Sequence, residues 1–460
     1  MHRADRMIEA LPFLMLGSLV LLLFTGIPVA VVLFGLGTVF CGFGIALGEM
    51  PVAGLFNVTP KLIASMSGSL FYPAVVMLLF MGVALEKAGI AHSMLTCLSL
   101  LLKRVPGGAV LAVLIIGVVL APAAGIVGAS VVTLSLIALP TLIRRGYPAP
   151  AATGAVAAAG TVGIILPPAV MLFFLASEFK VPLGSMFMST VIPGGLLIVL
   201  YGLYFMWCGN RQRIVPHDAD SIALSVSGWL LLIIRGLILP VGLIALVLGT
   251  IIAGWATPSQ SGAIGALGGL LLVVLNGRLS LQLLAELFTT TARLSAMVFF
   301  IIMAAAVFAY PFRYFGGDTS IANTLTGINA GPWVLVLLIV GIIFVLGFFI
   351  DWIEITVITL PLMMPTLGAL EFADHVATGK TTLLWIAAIV ALVLQTSFIT
   401  PPFGFALFFL KGSAPPDISL ADIYRGVWPI LFIQLLVIAM VFIVPDLVLW
   451  LPEKIYGTIR

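Results

Sequence analysis

Apolar residues fall into blocks separated by short polar gaps, from near the first residue to near the last. A bilayer-spanning helix needs roughly 20 apolar residues. On that measure the pattern predicts membrane helices near 11–25, 28–47, 71–86, 108–143, 151–176, 186–207, 229–250, 260–275, 294–311, 333–350, 353–369, 383–410 and 427–450. Block 108–143 is long enough for two passes or for one re-entrant hairpin. Residues 1–10 carry no small-residue cleavage site, so the first block reads as a span and not as a removed signal. The longest polar stretch, "GNRQRIVPHDADSIALS" at 209–225, reads as a linker. It divides the chain into a first membrane half, 1–208, a linker, 209–226, and a second half, 227–460.

Composition sharpens this into an all-α polytopic membrane protein. The 460 residues are 62% hydrophobic and 8% charged, against about 25% charged in a soluble domain. The net charge of +3 is too small to suggest a nucleic-acid partner. Lys103–Arg104, Arg144–Arg145 and Arg211–Arg213 lie in short gaps, which the positive-inside rule places at the cytoplasm. Cys41, Cys97 and Cys208 sit in or at the ends of apolar runs and read as packing residues. The four histidines are scattered, and there is no HExxH, GxSxG or P-loop motif. An enzyme, an organic cofactor and ATP hydrolysis are therefore not expected, and transport work has to draw on an ion gradient.

The two halves repeat a pattern. "VLAVLIIGVVL" (110–120) matches "VLVLLIVGIIF" (334–344), and "ASVVTLSLIALP" (129–140) matches "IDWIEITVITLP" (350–361). "TVGIILPPAVMLFFL" (161–175) matches "QTSFITPPFGFALFF" (395–409), proline pair on proline pair. The three matches keep their order, which indicates an internal duplication. Duplicated, broken membrane helices point to the binding site of a secondary transporter. A kink in two lipid-facing helices is the plainer reading, but it accounts for one such helix better than for a matched pair.

Proline lacks a backbone donor and clashes with the carbonyl four residues back. Pro167–Pro168 and Pro401–Pro402 are thus expected to free the carbonyls of Gly163, Ile164, Ser397 and Phe398. Thr161, Thr396, Ser397 and Thr400 add hydroxyls in the same turns. This is a hard-oxygen environment, suited to Na⁺ and not to a transition metal. A bound cation, with protein or water, is expected to satisfy the freed carbonyls. Half-helices starting after the breaks would point positive N-termini at the site, where an anion can dock. "APAAGIVGAS" (121–130) supplies Pro122, Gly125, Gly128 and Ser130 for a sharp turn, and its counterpart "LGFFIDWIEI" (346–355) carries Asp351 and Glu354. Asp351 admits a capping box with Glu354, cation coordination or proton handling, or an interfacial position. In "GWATPSQSGAIGALGG" (254–269), Thr257, Pro258 and Gln260 signal a helix start, structural or near the site. Gly262, Gly265, Ala266 and Gly269 favour close helix packing.

Along nearly its full length the chain resembles the large membrane subunit (DctM-like) of tripartite ATP-independent periplasmic (TRAP) transporters. The resemblance rests on "GIPVAVVLFGLG" (26–37), "GTVGIILPP" (160–168), "GWATPSQSG" (254–262), "FFIDWIEITVITLPLMMP" (348–365) and "TSFITPPFGFALF" (396–408). It implies an elevator-type, Na⁺-coupled importer of an organic acid in the bacterial inner membrane, built from two inverted repeats with re-entrant hairpins. It also implies two partners besides membrane lipids: a small four-helix membrane subunit and a periplasmic substrate-binding protein. The chain departs from the common pattern at Pro167-Pro168-Ala169 and at Thr257-Pro258-Ser259-Gln260-Ser261. The expected Na⁺ ligands are Gly160, Thr161, Gly163, Ile164, Asp351, Thr396, Ser397, Phe398 and Thr400. The expected substrate residues are Ser130, Thr133, Thr356, Pro401 and Gly404. A self-sufficient ion-coupled carboxylate carrier or antiporter of related fold is the alternative, with a channel behind it.

Overall fold

The computed structural model describes residues 2–67, 69–124, 127–211, 225–327, 331–372, 375–401 and 404–457. Gly125, Pro402 and most of the linker (212–224) lie outside them. Among the described residues there are helices and turns and no strands. The first half holds α1 (His2–Leu23), α2 (Val29–Ala46), α3 (Val58–Ser67), α4 (Tyr72–Lys87) and α5 (Ile90–Leu101). It continues with α6 (Gly108–Ala124), α7 (Val127–Arg144), α8 (Ala149–Val162), α9 (Val170–Glu178) and α10 (Leu183–Arg211). The second half holds α11 (Val226–Ile252), α12 (Pro258–Leu275), α13 (Leu281–Tyr314), α14 (Gly317–Gly327), α15 (Pro332–Leu346) and α16 (Trp352–Leu367). It ends with α17 (Lys380–Ser397), α18 (Phe405–Ser413), α19 (Leu420–Ile443) and α20 (Asp446–Tyr456).

Eight of these helices are long and apolar enough to cross a bilayer, and ten crossings result if two sharply bent pairs each count as one. The thirteen apolar blocks are therefore not thirteen spans. Block 108–143 is the hairpin α6–α7, whose arms pack on each other. Blocks 333–350 and 353–369 became α15 and α16, of 15 and 16 residues. At 1.5 Å per residue they reach about 22–24 Å, short of a 30 Å hydrocarbon core. The last block was placed too late: α19 starts at Leu420, ends at Ile443, and Pro445 separates it from α20. The linker also starts later, because α10 runs on to Arg211.

Two groups of helices emerge from the packing. In the first, α4 packs on α12 and α13, α2 on α13, and α11 on α12. Glycines permit the closest of these contacts. A Cβ on Gly265 would lie 2.7 Å from the Met81 sulfur, and one on Gly262 would lie 3.1 Å from the Ala74 carbonyl. The expected small-residue face of α12 is thus its face toward α4. At its start, Thr257 and Gln260 form the expected capping box, with Gln260 Oε1 accepting from Thr257 N at 2.9 Å.

The second group is built from the duplicated segments, and its packing is reciprocal. Helix α8 packs on its own hairpin arm α6 and on α19 of the other repeat; α17 packs on its own hairpin arm α15 and on α10 of the other repeat. Beyond the breaks, α18 packs on α7 and α9 packs on the π-turn of α16. Contact i-to-j paired with contact j-to-i is what a two-fold relation produces. Five crossings separate the start of α8 from the start of α17: the bent α8–α9, then α10, α11, α12 and α13. An odd number puts the two starts on opposite faces, so the repeats are inverted. The Arg144–Arg145 face is cytoplasmic by its charge, and the α9 end, the α13 end and the α15–α16 base lie at the outer face.

Aligned glycines have unequal roles. Gly117 of α6 has no room for a Cβ against the backbone of Ala159 in α8, whereas its counterpart Gly341 in α15 has nothing within 4 Å. The substitution Gly117→Ala should lower the unfolding midpoint of the purified protein, at a cost of about 1–3 kcal/mol from overpacking. Gly341→Ala should hold or raise it, through a helix-propensity gain of about 1 kcal/mol. Equal shifts in a thermal-unfolding comparison would contradict this packing.

Candidate functional site

Each break lies where a hairpin tip meets a bent helix. Helix α8 continues as a 3₁₀ turn, Gly163–Ile165, then bends 45° into α9. Leu166 is extended (φ −93°, ψ 133°), as a residue before proline must be. A Cβ on Gly160 would press on Val131 of α7, and one on Gly347, just past α15, would overlap Ser397. The 3₁₀ turn itself packs against α17. Gly163 and Ile164 of one repeat are therefore brought to the helix that carries Thr396 and Ser397 in the other. Tips that reach the middle of spanning helices make both hairpins re-entrant.

Protein donors, one of the partners expected, meet most of the freed carbonyls. Gly163 O accepts from Leu166 N at 3.2 Å, Ser397 O from Thr400 N at 3.2 Å, and Phe398 O from Ala406 N at 3.0 Å, across the break. The protein itself thus supplies three of the four replacement donors. The exception is Ile164, whose partners three and four residues on are Pro167 and Pro168; among the described residues its carbonyl accepts no hydrogen bond.

The hydroxyls all donate back along their own helices. Thr161 bonds to Ala157 O, Thr396 to Leu392 O and Thr400 to Thr396 O, each at 2.8 Å. Ser397 bonds to Leu394 O at 2.8 Å. A hydroxyl whose proton is committed this way keeps its lone pairs for a cation. Thr356 also bonds backward, to Trp352 O at 2.7 Å, and it sits fully buried in a π-turn, Ile355–Thr359. That π-turn was not legible in the duplicated pattern. It precedes Pro361 by two residues, and the other π-turn, Ile234–Ile238, precedes Pro240 by two. In both, the missing proline donor accompanies a shift to wider turns, a device often found at functional sites.

Asp351 takes the capping role. Its Oδ1 accepts from Trp352 N at 2.8 Å, one residue on, rather than from the N3 amide that a capping box uses. Glu354 is buried, and its Oε2 has no partner among the described residues. Thr133 is turned elsewhere: its hydroxyl donates to Glu86 Oε1 of α4 at 3.2 Å. Ser130 is buried near the first hairpin tip with an unpartnered Oγ. Pro401 lies in the turn, and Gly404 starts α18 with φ +41°, a conformation that a side chain would strain.

One residue was missed. Gln395 aligns with Thr161 in the duplication, is fully buried, and has neither amide atom hydrogen-bonded among the described residues. Leaving a buried amide unpaired costs roughly 1–3 kcal/mol per group. A lone amide in an apolar helix nearly two turns before the proline pair was the available signal.

Comparison with known proteins agrees with this architecture. The family model for the DctM component of tripartite ATP-independent periplasmic transporters matches residues 16–447. The C4-dicarboxylate TRAP transporter large permease protein DctM of Pseudomonas aeruginosa is 26% identical over 384 residues, 83% of this chain and 86% of that one. The isethionate TRAP transporter permease protein DctMQ of Oleidesulfovibrio alaskensis is 25% identical over 449 residues, 95% of this chain, and this chain spans 66% of its length. The sialic acid TRAP transporter large permease protein SiaM of Vibrio cholerae is 29% identical over 308 residues, 66% of this chain and 68% of that one. In fold, the chain is similar to the YdaH transporter of Alcanivorax borkumensis, with a TM-score of 0.58 at 18% identity over 88% of this chain and 90% of that one. MtrF of Neisseria gonorrhoeae gives 0.53 at 16% over 85% and 84%. A duplicated all-helical core with re-entrant hairpins, matched over nearly its whole length, identifies the chain as a member of the DctM family, the large multi-pass permease component of TRAP transporters of the bacterial inner membrane.

Proposed function

We propose that this chain is the Na⁺-coupled permease of a three-component importer of an organic acid. The observation that carries the reading is the pair of facing breaks, where the Ile164 carbonyl and the Gln395 amide remain unpaired beside four hydroxyls with free lone pairs. These are neutral oxygen donors in a water-poor site. A bare Na⁺ fits them, because carbonyl and hydroxyl oxygens replace its hydration shell without a permanent anion. Thr161, Ile164, Gln395, Thr396, Ser397 and Thr400 would hold it. The bound cation would supply positive charge between two half-helix N-termini, and an anionic substrate would then dock against α9 and α18 with Ser130 and Gly404 near it. Coupling follows from mutual dependence: each ligand raises the affinity for the other by the same factor.

The relatives named above are described for C4-dicarboxylates, sialic acid and isethionate, all acids. The family description makes this chain one component of three. Its partners would be a small membrane subunit and a periplasmic substrate-binding protein. An elevator needs a fixed element to slide against. The group centred on α4, α12 and α13, knitted by glycines, would be that element, with the duplicated core moving.

Three outcomes are expected in proteoliposomes. Thr396→Val, Ser397→Ala and Gln395→Leu should each raise the Na⁺ concentration for half-maximal uptake by about threefold or more, with expression near wild type; a charge-assisted contact contributes roughly 1.5–3 kcal/mol before compensation. Unchanged Na⁺ dependence in all three would remove these side chains from the ion site. Asp351→Asn should retain most uptake, since Asn caps about as well as Asp. Abolished transport in a folded Asn variant would instead give Asp351 to the ion. The isolated chain should transport nothing measurable under an inward Na⁺ gradient, and adding the small subunit with a loaded binding protein should restore uptake. Robust uptake by the chain alone would favour a self-sufficient carrier.

A further inference from the structure

A cavity of about 340 Å³ opens between the two helix groups, lined from α4, α9, α13 and α16. It lies at the outer face, opposite Arg144–Arg145. Its one basic side chain is Arg313, and its one acidic side chain is Glu178. Much of the remaining wall is aromatic: Phe71, Phe173, Phe174 and Phe308. Arg313 is exposed and makes no ion pair among the described residues, where Lys87–Glu286 is the pair that forms. A second cavity of about 420 Å³ shares Arg313, Ala306 and Ala309 with the first, and adds Lys61, Tyr310 and Tyr314. The two cavities adjoin at Arg313, with Lys61 adding a second positive charge in the other.

The first cavity reaches the second hairpin. Val357 and Ile358 of the π-turn line the cavity. Phe174 stands 6.3 Å from Tyr72 and 5.5 Å from Trp352, ring centre to ring centre. Trp352 follows Asp351 at the hairpin tip. The rings of Phe174 and Trp352 thus link the cavity wall to the second hairpin.

We propose that this cavity is an entry subsite for an organic monoanion whose acid group lies on Arg313 and whose apolar, preferably aromatic, body lies against Phe173, Phe174 and Phe308. The guanidinium offers a planar fork that matches a carboxylate or sulfonate. The ring walls are worth most to an apolar body. Arg313 is the one cationic side chain of this wall and Glu178 offers no compensation to a second negative charge, which selects against dianions. The volume suits a small ligand, at the lower end of the range for such pockets.

The inference rests on the transport reading, yet it can fail separately. Na⁺-driven uptake tests that reading, whereas equilibrium binding to the full chain tests the cavity. In nanodiscs of neutral lipid, radiolabelled phenylacetate should bind saturably and about tenfold tighter than succinate. Arg313→Gln should weaken phenylacetate binding about tenfold, and Glu178→Gln should narrow the preference over succinate. Succinate binding as tight as phenylacetate, an undiminished Arg313→Gln variant, or no saturable binding in wild type would each overturn the proposal. So would displacement of phenylacetate by added phosphatidylglycerol, which would assign Arg313 to a lipid headgroup.

Discussion

Backbone polar groups inside a bilayer have no water to fall back on, and each one left unpaired costs several kcal/mol. Everything unusual in this protein follows from breaking two helices under that constraint. The first bend can exist because Leu166 N and Ala169 N turn back onto Gly163 O and Leu166 O. The second can exist because Ala406 N reaches across to Phe398 O. What those substitutions do not cover, the Ile164 carbonyl and the Gln395 amide, lies where the two repeats face each other. Two unpaired polar groups thereby meet at the place where the broken helices approach each other.

Holding that place together requires close helix approach, since apolar side chains gain nothing from leaving lipid for protein. Contact between backbones supplies the difference. Gly117 against Ala159, Gly154 against Gly426, and Gly347 against Ser397 are positions where a single methyl group has no space. Helix α17 is the extreme case, with 16 of its 18 residues buried, so its polar residues face protein and not lipid. Reciprocal packing doubles the effect: each hairpin tip is fixed by its own bent helix, and the half-helix after each break is fixed by the opposite repeat.

The elevator movement proposed above would take place where the two helix groups meet. The interface between the two groups carries a hydrogen bond from Thr133 to Glu86 and, elsewhere, an aromatic-walled cavity with Glu178 and Arg313 in its wall. Rings and small residues make smooth, non-directional contacts, and a surface of that kind can shift without leaving specific bonds broken. The glycine-tight cores on either side resist continuous deformation, which would confine the proposed movement to the surface between them.

How much of this was legible before the fold was known follows from which interactions are local. Apolar block length gave the membrane class and most of the long helices, though not α3, α5 or α14, and the paired prolines marked where α8 and α17 end, because proline acts on its own turn whatever surrounds it. Thr257 with Gln260 announced its cap for the same reason. The spacing of Gly262, Gly265 and Gly269 announced a tight face, though not that α4 would occupy it. Pairing across space was not legible. The carbonyls of Gly163, Ser397 and Phe398 were expected to be met by a cation with protein or water, and which donors of the chain reach them was not readable. Gln395 looked like one more residue of an apolar helix, and Thr133 looked like a site residue until Glu86 took its hydroxyl. Gly117 and Gly341 occupy the same position in the pattern, and only one of them touches a neighbour. Local chemistry determined where the helices run and where they break; the tertiary structure alone decided which polar groups the breaks leave unpaired, because that depends on partners far away in sequence.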